Sequence, residues 1–265
     1  MNAPLTYPLA RNPAEHARLA LQAQFWSADA AALFESAGLA VGSCVADLGC
    51  GTLHVANLLR RFVGPAGKVF AIDNDDALLD TAHAESDRRI VVERGDAYAL
   101  PWDDSSLDAA HARFLAAPAG RLDRLVGEMH RLVRPGGMLI LQEPIADGWE
   151  VPNVGDAWPR ALELIRAGFR HRGGDFDVGR QLRSRLEAAG VSAIRTRMVR
   201  HQIAAAHPYA NLPLAFCDSL APLWREAGLV SDAEFEALRA ALEFGLRRTG
   251  ATVTTFTLVQ VWGRR

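Results

Sequence analysis

Between residues 44 and 142, short apolar runs alternate with amphipathic stretches, and that rhythm leaves few folds open. Residues 44–48, 68–72, 90–93, 107–111 and 138–142 read as strands, each short and largely apolar. Between them, 53–62, 75–84 and 119–133 carry apolar residues at the three- and four-residue steps of a helix. Strands joined through helices pair in parallel by right-handed crossovers, and the helices cover both faces of the sheet. Any ligand of such a sheet lies beyond the carboxyl ends of its strands, where the strand order reverses.

The flanks keep a different pace. Leu19, Ala23, Trp26, Ala30, Leu33 and Phe34 make 13–38 helical, and Gly38 ends it. After Pro144 helices are expected at 158–171 and 179–189, separated by the polar loop 172–177. Strand-like segments at 194–203 and 252–262 bracket a largely helical stretch, 207–248. The expectation is one domain of 265 residues. Residues 1–40 would form a helical cap and 41–145 the ligand-binding core. Segments 146–190 and 204–250 would be helical inserts, a lid on the side where a second substrate enters.

Composition narrows the function classes. Hydrophobic residues at 49% against 23% charged support a large core. A net charge of −2 argues against a nucleic-acid partner, which calls for a basic face. Cys44, Cys50 and Cys217 have no metal-ligand spacing, so no metal is expected, and a reducing compartment is. The first ten residues lack the pattern of a signal peptide, and no stretch has the length of a membrane span. A cytoplasmic protein without a membrane partner is the expectation.

The segment Val45-Ala-Asp-Leu-Gly-Cys-Gly-Thr-Leu53 carries the chemistry: a strand enters a glycine turn and then a helix. Glycine lets the backbone turn tightly and approach a ligand closely. A helix N-terminus offers free N–H groups to an anion. A third glycine is missing both at His54, where a dinucleotide fingerprint wants it, and at Leu53, where a G-x-G-x-G pattern wants it. Asp73 ends the second strand, where an ionised carboxylate accepts ribose hydroxyls and repels a 2′-phosphate. Gly95-Asp-Ala97 follows the third strand, Leu100-Pro-Trp102 comes next, and Arg134-Pro-Gly-Gly137 precedes the fifth.

In that order and at those intervals, D-L-G-C-G, I-D, G-D-A, L-P-W and R-P-G-G resemble the class I S-adenosylmethionine-dependent methyltransferases of the UbiE-like, small-molecule type. The resemblance covers residues 40 to 145 and implies a Rossmann-like α/β fold, a seven-stranded, mostly parallel sheet with helices on both faces. It implies S-adenosylmethionine as cofactor, S-adenosylhomocysteine as product and a small-molecule acceptor, in the setting of bacterial secondary metabolism. Asp47, Gly49 and Gly51 would surround the methionine part of the cofactor, and Gln24 of the first helix, beside Gln22, would reach its carboxylate. Asp73 and Asn74 would hold the ribose; Asp96, Ala97 and Trp102 would meet the adenine.

Methyl transfer from a sulfonium is an in-line displacement, and holding the reactants in line in a dry pocket supplies much of it. Where a base is needed, His111 at the end of the fourth strand and Glu143 at the end of the fifth are the catalytic candidates. Each has a plainer reading: His111 as a hydrogen-bonded structural residue, Glu143 as the partner of Arg113. The position of Leu53 leaves an alternative open, a repurposed member of the fold acting as a cyclase or a non-catalytic binding module.

Overall fold

The computed structural model describes residues 13–76, 79–80 and 89–265. Two helices open it, α1 (Pro13–Phe25) and α2 (Ser27–Ala37), split at Trp26 where a single helix was expected. Then come β1 (Cys44–Leu48), α3 (His54–Val63), β2 (Lys68–Asp73), β3 (Ile90–Arg94) and β4 (Leu107–Arg113). The helix expected at 75–84 is seen at residues 76, 79 and 80, with Asp75 preceding it; residues 77–78 and 81–84 lie outside the described residues. A helical turn α4 (Ala116–Ala119) and helix α5 (Leu122–Leu132) lead to the long strand β5 (Val133–Ile145).

Five strands in the order β3-β2-β1-β4-β5 are parallel. Two more extend the sheet beyond β5: β9 (Thr257–Arg264), antiparallel to it, and β6 (Ser192–Val199) at the edge. The fold is therefore a Rossmann-like, seven-stranded, mostly parallel sheet. Side chains alternate across each strand. Val45, Ala109, Ile140 and Trp262 meet α2 and α3 on one face, through Leu33, Phe34, Val55 and Leu59. Ala46, Leu48, Ala110, Leu139 and Leu141 face the other core, with Leu125 and Met129 of α5 and Leu182 and Leu186 of α7 (Leu182–Ala188). Burial on both faces explains why these strands read as continuous apolar runs.

Two expected strands are each two. The segment 194–203 breaks after β6 into β7 (Gln202–Ala204), and 252–262 divides into β8 (Thr252–Thr254) and β9. β7 pairs with β8 in a small second sheet. The break falls at matching places on both, where His201 N–H donates to Thr255 Oγ1 and Thr255 N–H to the His201 carbonyl. The last inserts form α6 (Ala157–His171), α8 (Leu212–Glu226) and α9 (Asp232–Arg247). Gly228 (φ 66°) ends α8 and splits the long helix expected there. Among the described residues, no helix is long and apolar enough to cross a membrane.

Leu53 sits at the N-cap of α3 with φ 59°, the left-handed region in which glycine is at ease. Its side chain is 1% exposed and joins the core under α2 and α3. The left-handed backbone costs a leucine about 1–2 kcal/mol, whereas removing a buried leucine side chain costs about 2–5 kcal/mol. Burial wins, so Leu53→Gly should destabilise the protein by about 1–3 kcal/mol in urea denaturation. A more stable glycine variant would show that backbone strain dominates instead.

Candidate functional site

The strand order reverses between β1 and β4, and a cleft opens above their carboxyl ends. Its floor is built strand by strand: Asp47 and Gly49 to Thr52 after β1, Asp73 to Asp75 after β2, Gly95 to Tyr98 after β3, Arg113 to Leu115 after β4. Glu15, Leu19, Gln22 and Ala23 of α1 roof it, and Pro118 and Ala119 close one side. With its open mouth the cleft encloses about 1300 Å³.

The turn after β1 is tied to the end of β2. Gly49 and Cys50 N–H both donate to the Ile72 carbonyl, at 2.8 and 3.0 Å. Gly51 N–H donates to Asp73 Oδ2 at 2.9 Å, and Asn74 and Asp75 N–H donate to Asp73 Oδ1. Asp73 thus shapes the loop as well as facing the cleft. Burial raises its pKa, and the amide of Gly51 opposes that most strongly. Gly49 has φ 71°, and a Cβ there would stand 3.0 Å from Leu115 Cδ1. The side chain at position 53 does not line the cleft; it lies in the core below.

Two polar atoms at the inner end have no partner among the described residues, Asp47 Oδ2 and Arg113 Nη1. Both side chains line the cleft, and no ion pair joins them among those residues. Asp47 is 2% exposed. Burial brings the Arg113 guanidinium down to about 10, with Asp47 the strongest charge opposing that drop. A buried polar atom without a partner is costly, so one orphan of each sign in one cavity points to a ligand.

Of the residues expected at a cofactor, the structure gathers Asp47, Gly49, Gly51, Asp73, Asn74, Asp96 and Ala97 around this cleft. Two others, Gln24 and Trp102, lie elsewhere. Gln24 is exposed, because on a helix it points away from Glu15, Leu19 and Gln22, and Gln22 lines the cleft instead. The Trp102 ring leans on Phe70, centroids 5.0 Å apart. Its backbone is gripped by Arg131, which donates to the Trp102 and Leu100 carbonyls, while Glu128 accepts from Leu100 N–H. The L-P-W segment is therefore a fastening to α5 rather than a wall of the cleft.

His111 is fully buried and stands behind Asp47, its Nδ1 2.8 Å from Asp47 Oδ1 and its Nε2 2.8 Å from Gln142 Nε2. It has no face on the cleft. Glu143 is also fully buried and does not pair with Arg113. Its carboxyl accepts from the N–H groups of Leu115, Ala116 and Ala117 at 2.9, 2.8 and 3.1 Å, pinning the segment that walls the cleft. As catalytic groups both are corrected: each is enclosed by protein, one behind a cleft residue and the other beneath a cleft loop. Sequence reasoning passed over Arg113 as a cleft residue. The signal was its position, two residues beyond His111 on the same strand face and nearer the carboxyl edge. In the loop 172–177, Asp175 closes a local turn by accepting from Asp177 N–H, while Asp177 ties the loop to the end of β5 by accepting from Ala146 N–H and to α6 through Arg166.

Comparison with known proteins gives the same picture. Residues 45–137 match the family described as "Methyltransferase domain". No curated protein matches the chain in a sequence search. Among solved structures, the YcgJ protein of Bacillus subtilis is 16% identical with a TM-score of 0.59, over 90% of this chain and 99% of that one. Geranyl diphosphate methyltransferase, solved in complex with SAM, is 16% identical with a TM-score of 0.55 over 96% of this chain and 92% of that one. The [4+2]-cyclase SpnF is 20% identical with a TM-score of 0.54 over 91% and 82%. At these identities the likeness is one of fold.

Burial lifts the Glu143 carboxyl from its usual 4.5 to about 7, against the pull of its three amide donors. The folded protein therefore holds this proton more tightly than the unfolded chain. That contribution to stability is complete below about pH 4.5 and is lost as pH rises to about 7, a decline of about 3 kcal/mol. Glu143→Gln should lack this decline when urea stability is measured across that interval. Parallel pH profiles for the two proteins would show that Glu143 does not titrate there. Residues 45–137 match the methyltransferase-domain family, and the chain shares its fold with solved methyltransferases.

Proposed function

We propose that this protein transfers a methyl group from S-adenosylmethionine to a small-molecule acceptor. The observation that carries the reading is the pair of orphan atoms, Asp47 Oδ2 and Arg113 Nη1, at the inner end of the cleft. An α-amino acid end presents one ammonium and one carboxylate, and this pair offers a partner to each. From β3 to β4 the cleft crosses three strand spacings, roughly 14 Å, enough for a nucleoside with an amino-acid tail laid across the strand ends. On this reading Asp96, Ala97 and Tyr98 meet the base, Asp73 the ribose, and Asp47 with Arg113 the amino acid.

S-adenosylmethionine, the methyl donor of this fold's methyltransferases, supplies an electrophilic methyl on a sulfonium. The residues of this chain bind, orient and exclude water. Leu19, Ala23, Leu115, Pro118 and Ala119 give the cleft an apolar side on which an acceptor can lie without competing solvent. Neither His111 nor Glu143 reaches that side, so neither acts as the base, and the cleft contributes by positioning the reactants.

A second reading, a cyclase that keeps the cofactor without spending its methyl group, draws on the same apolar side and on the fold shared with SpnF. A methylated product in mass spectrometry, with one S-adenosylhomocysteine per turnover, separates the two. Calorimetry should give micromolar binding of S-adenosylmethionine and S-adenosylhomocysteine and none of NAD. Binding of NAD alone would end the proposal. Asp73→Ala should weaken the adenosyl ligands by about 1–3 kcal/mol. Arg113→Met should weaken S-adenosylmethionine about tenfold, the loss of a charged hydrogen bond, and leave 5′-methylthioadenosine, which lacks the amino-acid tail, unchanged.

A further inference from the structure

Five side chains on five neighbouring strands form one hydrogen-bonded row across the sheet, from the cleft to its far edge. Arg197 on β6 donates from Nε to Gln260 Oε1 at 2.7 Å. Gln260 on β9 donates from Nε2 to Gln142 Oε1 at 2.7 Å. Gln142 on β5 presents Nε2 to His111 Nε2 at 2.8 Å, and His111 on β4 presents Nδ1 to Asp47 Oδ1 on β1 at 2.8 Å. The pleat puts them in register: Arg197 and Asp47 stand opposite Gln260 and His111, and Gln142 stands opposite Gln260. His111, Gln142 and Gln260 are all 0% exposed. The row spans four strand spacings, roughly 19 Å.

The direction of every bond follows from its ends. A guanidinium can only donate, so Gln260 turns its oxygen to Arg197 and its amide nitrogen to Gln142. Gln142 must then accept with its oxygen, which leaves its nitrogen donating to His111. His111 Nε2 must accept, so the ring proton sits on Nδ1 and is donated to Asp47 Oδ1. Gln260 Nε2 also reaches the Asp29 carbonyl at 3.3 Å, and Arg197 Nη2 donates to that carbonyl, which agrees with the same orientation. Donors all point one way and end on a carboxylate. In a buried row such bonds polarise one another.

Asp47 spends one oxygen on this row and keeps the other, Oδ2, unpartnered in the cleft. We propose that the Arg197–Gln260–Gln142–His111 row is a positioning device: it fixes His111 as the Nδ1–H tautomer and holds the Asp47 carboxylate so that Oδ2 receives a ligand ammonium. The ligand half of this rests on the cofactor reading given above; the tautomer half does not. A fixed carboxylate loses no rotational freedom on binding, so the row acts on affinity for ligands that carry the ammonium and on no others.

Nitrogen-15 spectra of histidine-labelled protein test the row directly. His111 should show a protonated Nδ1 and a bare Nε2 in the wild type. In Arg197→Met, which leaves Gln260 held at that end by the Asp29 carbonyl alone, the His111 nitrogen shifts should move. Calorimetry tests the consequence: Gln142→Met should weaken S-adenosylmethionine about tenfold and 5′-methylthioadenosine less than twofold. A protonated Nε2 in the wild type overturns the row, as does a spectrum unchanged by Arg197→Met. Equal losses for both ligands in Gln142→Met overturn its positioning role. A wild type that binds neither ligand overturns the cofactor reading and the ligand half with it, while the nitrogen spectra decide the tautomer independently.

Discussion

Everything at this site depends on the pairing of β1 with β4, whose carboxyl ends stand side by side with the chain leaving them in opposite directions. A parallel sheet covered by crossovers has no opening except where successive connections diverge. That opening is narrow, and the sequence fills it economically. One strand carries Asp47 next to its last residue and its neighbour ends in Arg113, so opposite charges line a buried gap with no ion pair between them among the described residues. The cost of keeping both unpaired is borne by the packing on either face of the sheet, where Leu33, Phe34 and Leu59 on one side and Leu48, Leu125 and Met129 on the other are buried. A folded core can hold such a frustrated pair in place; a surface loop would collapse onto it.

The roof depends on the floor only indirectly. Helix α1 covers the cleft, yet its support comes from the far end of the chain. Phe25 stacks on Tyr209 with centroids 3.9 Å apart, Trp26 Nε1 donates to Tyr209 Oη at 2.7 Å, and Arg18 lies over the Phe216 ring. The inserts expected to fold over the ligand line none of the cleft. They act through α1, as a buttress acts on an arch. Their aromatic residues continue the same cluster from Phe256 through Trp149 to Phe176.

The sequence made the floor legible and the roof hardly at all, for a physical reason. Gly49, Gly51, Asp73, Asp96 and Ala97 follow directly from strand ends, and a strand end fixes where its next residues go. Gln24 was misplaced against Gln22 because two residues on a helix differ by about 200° in direction, and the helical pattern of 13–38 does not say which face looks down. Trp102 follows a strand end too, but Arg131 and Glu128 fasten its backbone to α5, and that partnership spans almost thirty residues of sequence. His111 and Glu143, expected at strand ends, each lie two residues inside them, because β4 runs on to Arg113 and β5 to Ile145. Which side of the sheet edge they would serve was settled by partners on other strands, Gln142 and Asp47 for one and the amides of residues 115–117 for the other.

Leu53 shows how a departure from pattern is absorbed. A glycine there would satisfy the turn by having no side chain to place. Leucine satisfies it by placing the side chain out of the cleft, at the start of α3, among residues already packed against α2. The backbone keeps the left-handed conformation that the turn demands, and the hydrophobic burial more than offsets the strain. The motif is thus a requirement on backbone shape above all. Residue type matters only where a Cβ would meet something, and at Gly49 it would press on Leu115, the cleft's own wall. The two glycines that remain are the ones whose backbone the cleft touches. Leu53, at the third position of the pattern, lies over the core.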